Sequence, residues 1–347
     1  LYPTNPLGVK NTLLPEAILL KIMKISVQTN KNVIFFETLI SFISNDKDFH
    51  PLGQKVIEEF KDIKKIKAFE VFQKNVIEKK IPSHPWQYVF LSINLNDDLT
   101  PKSLSPRDGF GPNREKLYTE DLYPIVNRIN TESNFGRRYC EKILPEYEIV
   151  TQDIQKLFDK ENPGDVLEEF WGKELKANLV FIPDPLRVGG GSGVSRGRDF
   201  YSITGTVKTG GEIEFKNSHM ISNLLHEYSH SFFKNYVYKN EELFKKNEEL
   251  CNTLSGRIKK DKEIFKSYGT STVYFEETFI RAVQILLSRR FFEKAMNKDM
   301  ESKSLELLRK RKEEGFLYIE EFYNKLEDSK DPMASYMHVL EDIMKNL

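Results

Sequence analysis

The run Leu224-Leu225-His226-Glu227-Tyr228-Ser229-His230 sets two imidazoles four residues apart with a carboxylate between them. On an α-helix, residues at that spacing stand one above the other, so His226 and His230 can turn two nitrogens toward one metal ion. Neutral imidazole suits zinc, and a catalytic zinc takes three protein ligands while keeping a fourth position for water. Glu227 lies where its carboxylate can take a proton from that water. The pattern predicts one Zn²⁺ per chain, with His226 and His230 as ligands and Glu227 as general base.

The third ligand has to come from another element. No histidine follows His230 until His338, so the H-E-x-x-H-x-x-G-x-x-H arrangement is absent. A carboxylate on a second helix is the better source. Phe275, Phe279, Val283, Leu286 and Leu287 mark such a helix, with Ser271 or Thr272 placed to cap its start. Glu276 and Glu277 differ by about 100° around it, so they cannot face one metal equally. Arg281, four residues beyond Glu277, can orient that carboxylate, which makes Glu277 the expected ligand and Glu276 the alternative. Ala282 permits close approach of the two helices. A hydrogen-bond donor must share the oxyanion of an acyl-transfer step. Tyr268 is the leading candidate, with Tyr274, Arg281 and His219 as alternatives.

The element carrying the two histidines reads as an amphipathic helix. Met220, Ile221, Leu224, Leu225, Tyr228 and Phe232 recur on one side, and His219, His226 and His230 follow the adjoining stripe. Asn217 or Ser218 can cap it.

With these residues in place, residues 178–287 resemble the gluzincins, zinc metallopeptidases that carry H-E-x-x-H on one helix and a glutamate ligand on the next. The chain is also similar to a poorly characterised set of bacterial metallopeptidases that share a Glu-x-x-x-Arg-Ala element, here Glu277 to Ala282. The resemblance implies a zincin-like core, a small sheet beside the H-E-x-x-H helix, and a peptide or protein substrate. It lacks the Asn-Glu-x-x-Ser-Asp pattern of thermolysin-like enzymes and the Gly-x-Met-Glu-Asn stretch of aminopeptidases, so substrate preference does not carry over.

The segment ahead of the zinc helix supplies the expected sheet. Asn178 to Ile182 is an apolar run ended by Pro183-Asp184-Pro185 and reads as a buried strand. Residues 188–193, Val-Gly-Gly-Gly-Ser-Gly, read as a flexible loop. Their spacing matches neither G-x-G-x-x-G nor G-x-x-x-x-G-K-[ST], which disfavours a nucleotide site. Residues 200–207 are rich in strand formers, and Gly210-Gly211 turns the chain into Glu212 to Phe215. An edge strand of such a sheet could pair with an extended peptide.

The remaining sequence bounds the answer. Lys plus Arg equals Asp plus Glu at 52 each in 347 residues, so bulk charge favours neither nucleic acid nor an anionic membrane. No apolar run is long enough for a transmembrane segment. Residues 12–95 read mainly as helices, Trp86 to Leu91 as strand or helix, 97–113 as a loop, and Leu117 to Ile149 as helical again. The expected class is α+β and predominantly helical. It comprises a mainly helical part, 1–170, and a zincin-like catalytic part with C-terminal helices, 171–347, the two forming separate parts or one continuous unit. Cys140 and Cys251 stand far apart, which allows one bridge or two free thiols. The first residue is Leu1 rather than methionine, as expected of a removed leader or a trimmed end. A removed leader would place the protein in the cell envelope or outside the cell, and its absence in the cytoplasm. Oligomeric state has no sequence signature here. A zinc-holding module without turnover is the alternative to a peptidase.

Overall fold

The computed structural model describes residues 23–44, 48–81, 85–102, 116–172, 177–255, 268–296 and 299–346. The chain is mostly helical with one small mixed sheet, an α+β architecture. A short strand, β1 (Ile25–Val27), comes first, so the stretch read as mainly helical also contains a strand. Four helices follow: α1 (Lys31–Ser44), α2 (Pro51–Glu59), α3 (Lys67–Ile77) and α4 (Pro85–Ile93). The last of these resolves the Trp86 to Leu91 ambiguity in favour of helix. Of the expected loop at 97–113, residues 103–113 lie outside the described residues. Next come α5 (Tyr123–Ser133), α6 (Phe135–Arg138), α7 (Leu144–Lys160) and α8 (Gly164–Trp171). Single π-helical stretches precede α5 and α7, each just ahead of a proline, Pro124 or Pro145, that cannot donate the usual helical bond.

The sheet is built from β1, β2 (Asn178–Val188), β4 (Asp199–Thr209) and β3 (Gly191–Arg196) in that spatial order, with β5 (Glu212–Glu214) pairing β4. β1 and β4 both run parallel to β2, whereas β3 is antiparallel to β4. The sheet departs from the sequence expectation at two places. β2 does not stop at Pro183 but continues to Val188. The Phe181 carbonyl accepts from Gln28, so Pro183 and Pro185, two and four residues on, turn their missing donors to the side where β1 has already ended. The glycine segment is also not simply a loop: only Gly189 and Gly190, both at positive φ, make the turn, and Gly191 begins an edge strand.

Side chains alternate across this sheet, and each face has its own core. Val180, Ile182, Val194 and Ile203 meet Val33 of α1 and Val89 and Ile93 of α4 on one face. Leu179, Phe181 and Phe200 point the other way, into a core shared with α9 (Asn217–Lys239) and α11 (Ser271–Met296). A third cluster joins α1 to α7 and reaches β2 through Leu186. α10 (Glu241–Ser255), α12 (Glu301–Glu314), α13 (Ile319–Glu327) and α14 (Pro332–Asn346) pack around α9 and α11. Among the described residues no helix is long and apolar enough to cross a membrane. Cys140 is exposed, Cys251 is buried, and both are free thiols.

Candidate metal centre

Helix α9 forms where the periodicity places it, but neither Asn217 nor Ser218 caps it. The N-cap position is Lys216, and no side chain closes the first turn. Its stability comes from burial instead: Met220, Ile221, Leu224, Leu225, Tyr228 and Phe232 are all sealed from solvent. Each such side chain contributes roughly 1.5–3 kcal/mol by leaving water. Helix α11 is capped one residue earlier than expected, by the Thr270 hydroxyl, which accepts from the Val273 N–H at 3.2 Å. Ala282 is fully buried at its centre. Gln284 on α11 donates to the Ser222 hydroxyl at 3.0 Å and to the Ser222 carbonyl at 3.1 Å, which fixes the register of the two helices.

That register brings His226, His230 and Glu277 together. One ligand atom from each lies within 4.8 Å of the other two, a group able to hold a metal ion. The two Nε2 atoms are 3.2 Å apart. Glu277 places Oε2 3.1 Å from His230 Nε2 and Oε1 3.5 Å from His226 Nε2. Two ligands bound at zinc's usual length in a tetrahedral arrangement would stand about 3.3 Å apart. The spacing of these residues is thus close to what a zinc ion needs.

Glu276, one residue before, does something different. Its Oε1 lies 2.9 Å from His230 Nδ1, the ring nitrogen turned away from the cluster, and 3.7 Å from Lys234 Nζ. A carboxylate in this position can orient an imidazole by accepting from its far nitrogen. The two histidines differ in this respect, because His226 Nδ1 is buried without a hydrogen-bond partner among the described residues. Arg281 Nε donates to Glu277 Oε1 at 2.8 Å, the placement its i+4 position predicted. Glu276 entered the sequence reading only as a rival ligand. Its position about 100° from Glu277 was the available signal that it serves a neighbouring imidazole.

Burial dominates the electrostatics. It opposes ionisation of Glu277, but His226, His230 and Arg281 outweigh it and hold that carboxyl well below its ordinary range. Burial, helped by Arg281, pushes His226 well below its ordinary value and so favours the neutral ring a metal requires. His230 moves up to about 9: burial lowers it, and Glu276 and Glu277 more than offset that. Glu227, beside them and 8% exposed, is raised by burial, with His230 and Arg281 pulling the other way.

Edge strand β3 closes over Glu227. A methyl added at Gly193 would stand 2.8 Å from the Glu227 carbonyl oxygen and 2.9 Å from its Oε2, and one at Gly191 would stand 3.1 Å from Oε1. Glycine at 191 and 193 is therefore a packing requirement on the face toward α9, which composition alone reads as flexibility. Ser202, Thr204 and Thr206 of β4 share that orientation and are buried. Asn223, one turn before Glu227, donates to the Gly190 carbonyl at 3.1 Å and lies 3.0 Å from His219 Nε2.

The oxyanion candidates separate. Tyr268 is half-buried, within hydrogen-bonding range of Glu277 and Arg281, and pushed up to about 12 by burial and by Glu277, so it remains a proton donor. Tyr274 is committed elsewhere, donating to the Gly315 carbonyl at 2.9 Å and accepting from the Leu317 N–H at 3.0 Å. Arg281 is engaged by Glu277, as Tyr268 also is, and His219 sits with Asn223.

Residues 113–342 match the family described as Domain of unknown function (DUF4932). The chain belongs to DUF4932. No curated protein matches it, and no solved structure does. Every residue of the metal group, together with Glu227, Tyr268, Glu276 and Arg281, falls inside the DUF4932 match, whereas β1 and helices α1 to α4 precede it.

Proposed function

We propose that this chain is a zinc-dependent peptidase on a zincin-like core, with His226, His230 and Glu277 as ligands and Glu227 as general base. The observation that carries the reading is the convergence of two imidazole Nε2 atoms and one carboxylate, 3.1 to 3.5 Å apart, with Glu227 buried alongside. Zinc held by these ligands would supply Lewis acidity, polarising the scissile carbonyl and lowering the pKa of water.

The chain's own groups carry the proton. Glu227 takes it from the attacking water as the new C–O bond forms, and returns it to the amide nitrogen as the C–N bond breaks. Tyr268 donates a hydrogen bond to the carbonyl oxygen as negative charge develops there. Glu276 keeps the His230 ring turned toward the ligand group, and Arg281 holds the Glu277 carboxylate. β3 pairs with β4 along one edge, and its other edge suits main-chain pairing with an extended peptide.

The test combines metal content with turnover. Elemental mass spectrometry of protein offered zinc should find about one zinc per wild-type chain and per Glu227→Gln chain, and none in His226→Ala. Peptide-library cleavage should occur with the wild type and fall at least about a hundredfold in Glu227→Gln. Failure to take up zinc would sink the whole reading. Zinc uptake with no cleavage of any peptide would instead leave a zinc-holding module without turnover.

A further inference from the structure

A second buried charge cluster lies outside the metal centre, at the end of β2. Arg187 ion-pairs with Glu37 of α1, and its Nε stands 3.6 Å from Asp184 Oδ2. All three are shielded: Asp184 is fully buried, and the Glu37 and Arg187 side chains are 7% and 15% exposed. Two carboxylates around one guanidinium leave no spare cation for an external anion. The remaining reach of Arg187 is therefore informative: Nη1 donates to the Ser192 hydroxyl at 2.7 Å.

Ser192 lies on β3 between Gly191 and Gly193. Successive strand residues face opposite ways, so the serine points away from α9 while the two glycines lie against Glu227. Arg187 thus grips the strand from behind. The grip is itself fixed, because the Thr206 hydroxyl donates to the Arg187 carbonyl at 2.9 Å and Gly205 permits close contact with the Arg187 backbone.

We propose that Glu37 and Arg187 are positioning residues for Glu227, acting through Ser192 to hold the glycine strand against the turn of α9 that carries the base. The kinetic part of this inference rests on the peptidase reading; the mechanical part does not. Through Glu37, which precedes the family match, α1 would join the working unit of the site. Arg187→Ala would strand two buried carboxylates and confuse loss of fold with loss of grip, whereas Glu37→Gln keeps an acceptor beside Arg187 and leaves Asp184 as its counter-charge. Ser192→Ala removes only the hydroxyl, and Ser192→Thr restores one.

The experiment measures amide hydrogen exchange, zinc content and turnover per bound zinc in wild type, Ser192→Ala, Ser192→Thr and Glu37→Gln. In Ser192→Ala and Glu37→Gln we expect exchange across 191–196 to quicken about tenfold while α9 amides keep the wild-type rate. Zinc content should stay unchanged, kcat should fall about tenfold through misplacement of the base, and Ser192→Thr should recover most of both effects. β3 exchange equal to wild type, or quickened by the same factor in α9, would overturn the proposal. If wild type binds zinc but cleaves nothing, the peptidase reading fails and the exchange comparison alone decides this one.

Discussion

The two buried charge clusters share most of the properties often taken to mark a functional site. Each joins elements distant in sequence, each sets an arginine among buried carboxylates, and each includes a group moved far from its ordinary pKa. At the metal centre, however, His226, His230 and Glu277 turn their free ligand atoms toward one point. Around Arg187, Glu37 and Asp184 face the guanidinium, and among the described residues no third ligand atom joins them. The difference teaches that burial and a displaced pKa do not identify a ligand site. Convergence of ligand atoms on one point is what sets the candidate metal centre apart.

That contrast can be broken most sharply by exchanging ligands for neighbours. Glu277→Ala removes a converging atom and should weaken zinc binding at least a thousandfold, about 4 kcal/mol, read by competition with a chelator. Asp184→Ala, equally buried, should leave zinc affinity unchanged. Equal losses in the two would show that the clusters are not distinct. Glu276→Gln keeps shape but loses charge at the group behind His230, and zinc affinity should drop between about tenfold and a hundredfold. A loss as large as that of Glu277→Ala would make Glu276 a ligand instead of an orienting partner.

Gly193→Ala probes the contact between strand and base. Its methyl would meet the Glu227 backbone at 2.8 Å, so we expect destabilisation of about 1–3 kcal/mol by denaturant titration. Gly193 is not at positive φ, so the cost comes from the contact and not from backbone strain. Stability equal to wild type would show that β3 is not pressed onto Glu227.

The smallest effect expected is a pH slope. Burial and the neighbouring Glu37 raise Asp184 from an ordinary 3.8 to about 7, despite Arg187. The folded chain then binds this proton more tightly than the unfolded chain. The associated stability is fully present below about pH 4 and is lost as pH rises through about 7. In zinc-loaded protein, the wild-type Tm should decline from pH 5 to pH 8 by about 2–4 °C more than that of Asp184→Ala. Parallel slopes would remove Asp184 as the titrating group.

The chemistry-bearing helices were legible because their signals are local. Periodic apolar residues define α9, and an arginine one turn after Glu277 points to its support. What escaped the sequence depends on contacts made only after folding. The Glu276 to His230 pairing joins two helices, and the ion pair of Arg187 with Glu37 joins β2 to α1. Gly191 and Gly193 look like a loop until a helix lies against them. Pro183 and Pro185 look like a strand end until β1 is seen to stop short of them. The small-sheet α+β class was readable from composition and patterning, but the parallel partner of β2 was not, because three residues of β1 carry too little pattern to announce a strand.

That short strand has a consequence for how the molecule is made. Ile25 pairs with Leu179 and Val27 with Phe181. At roughly 5–20 residues per second, a ribosome takes about ten seconds or more to deliver the second partner after the first. Closing so long a loop is entropically slow, and the early helices must wait with one sheet edge still unwritten. The parallel β1–β2 seam therefore stays open until Asn178–Val188 has been made, and over that interval an unpaired β1 exposes the nascent chain to mispairing with its neighbours.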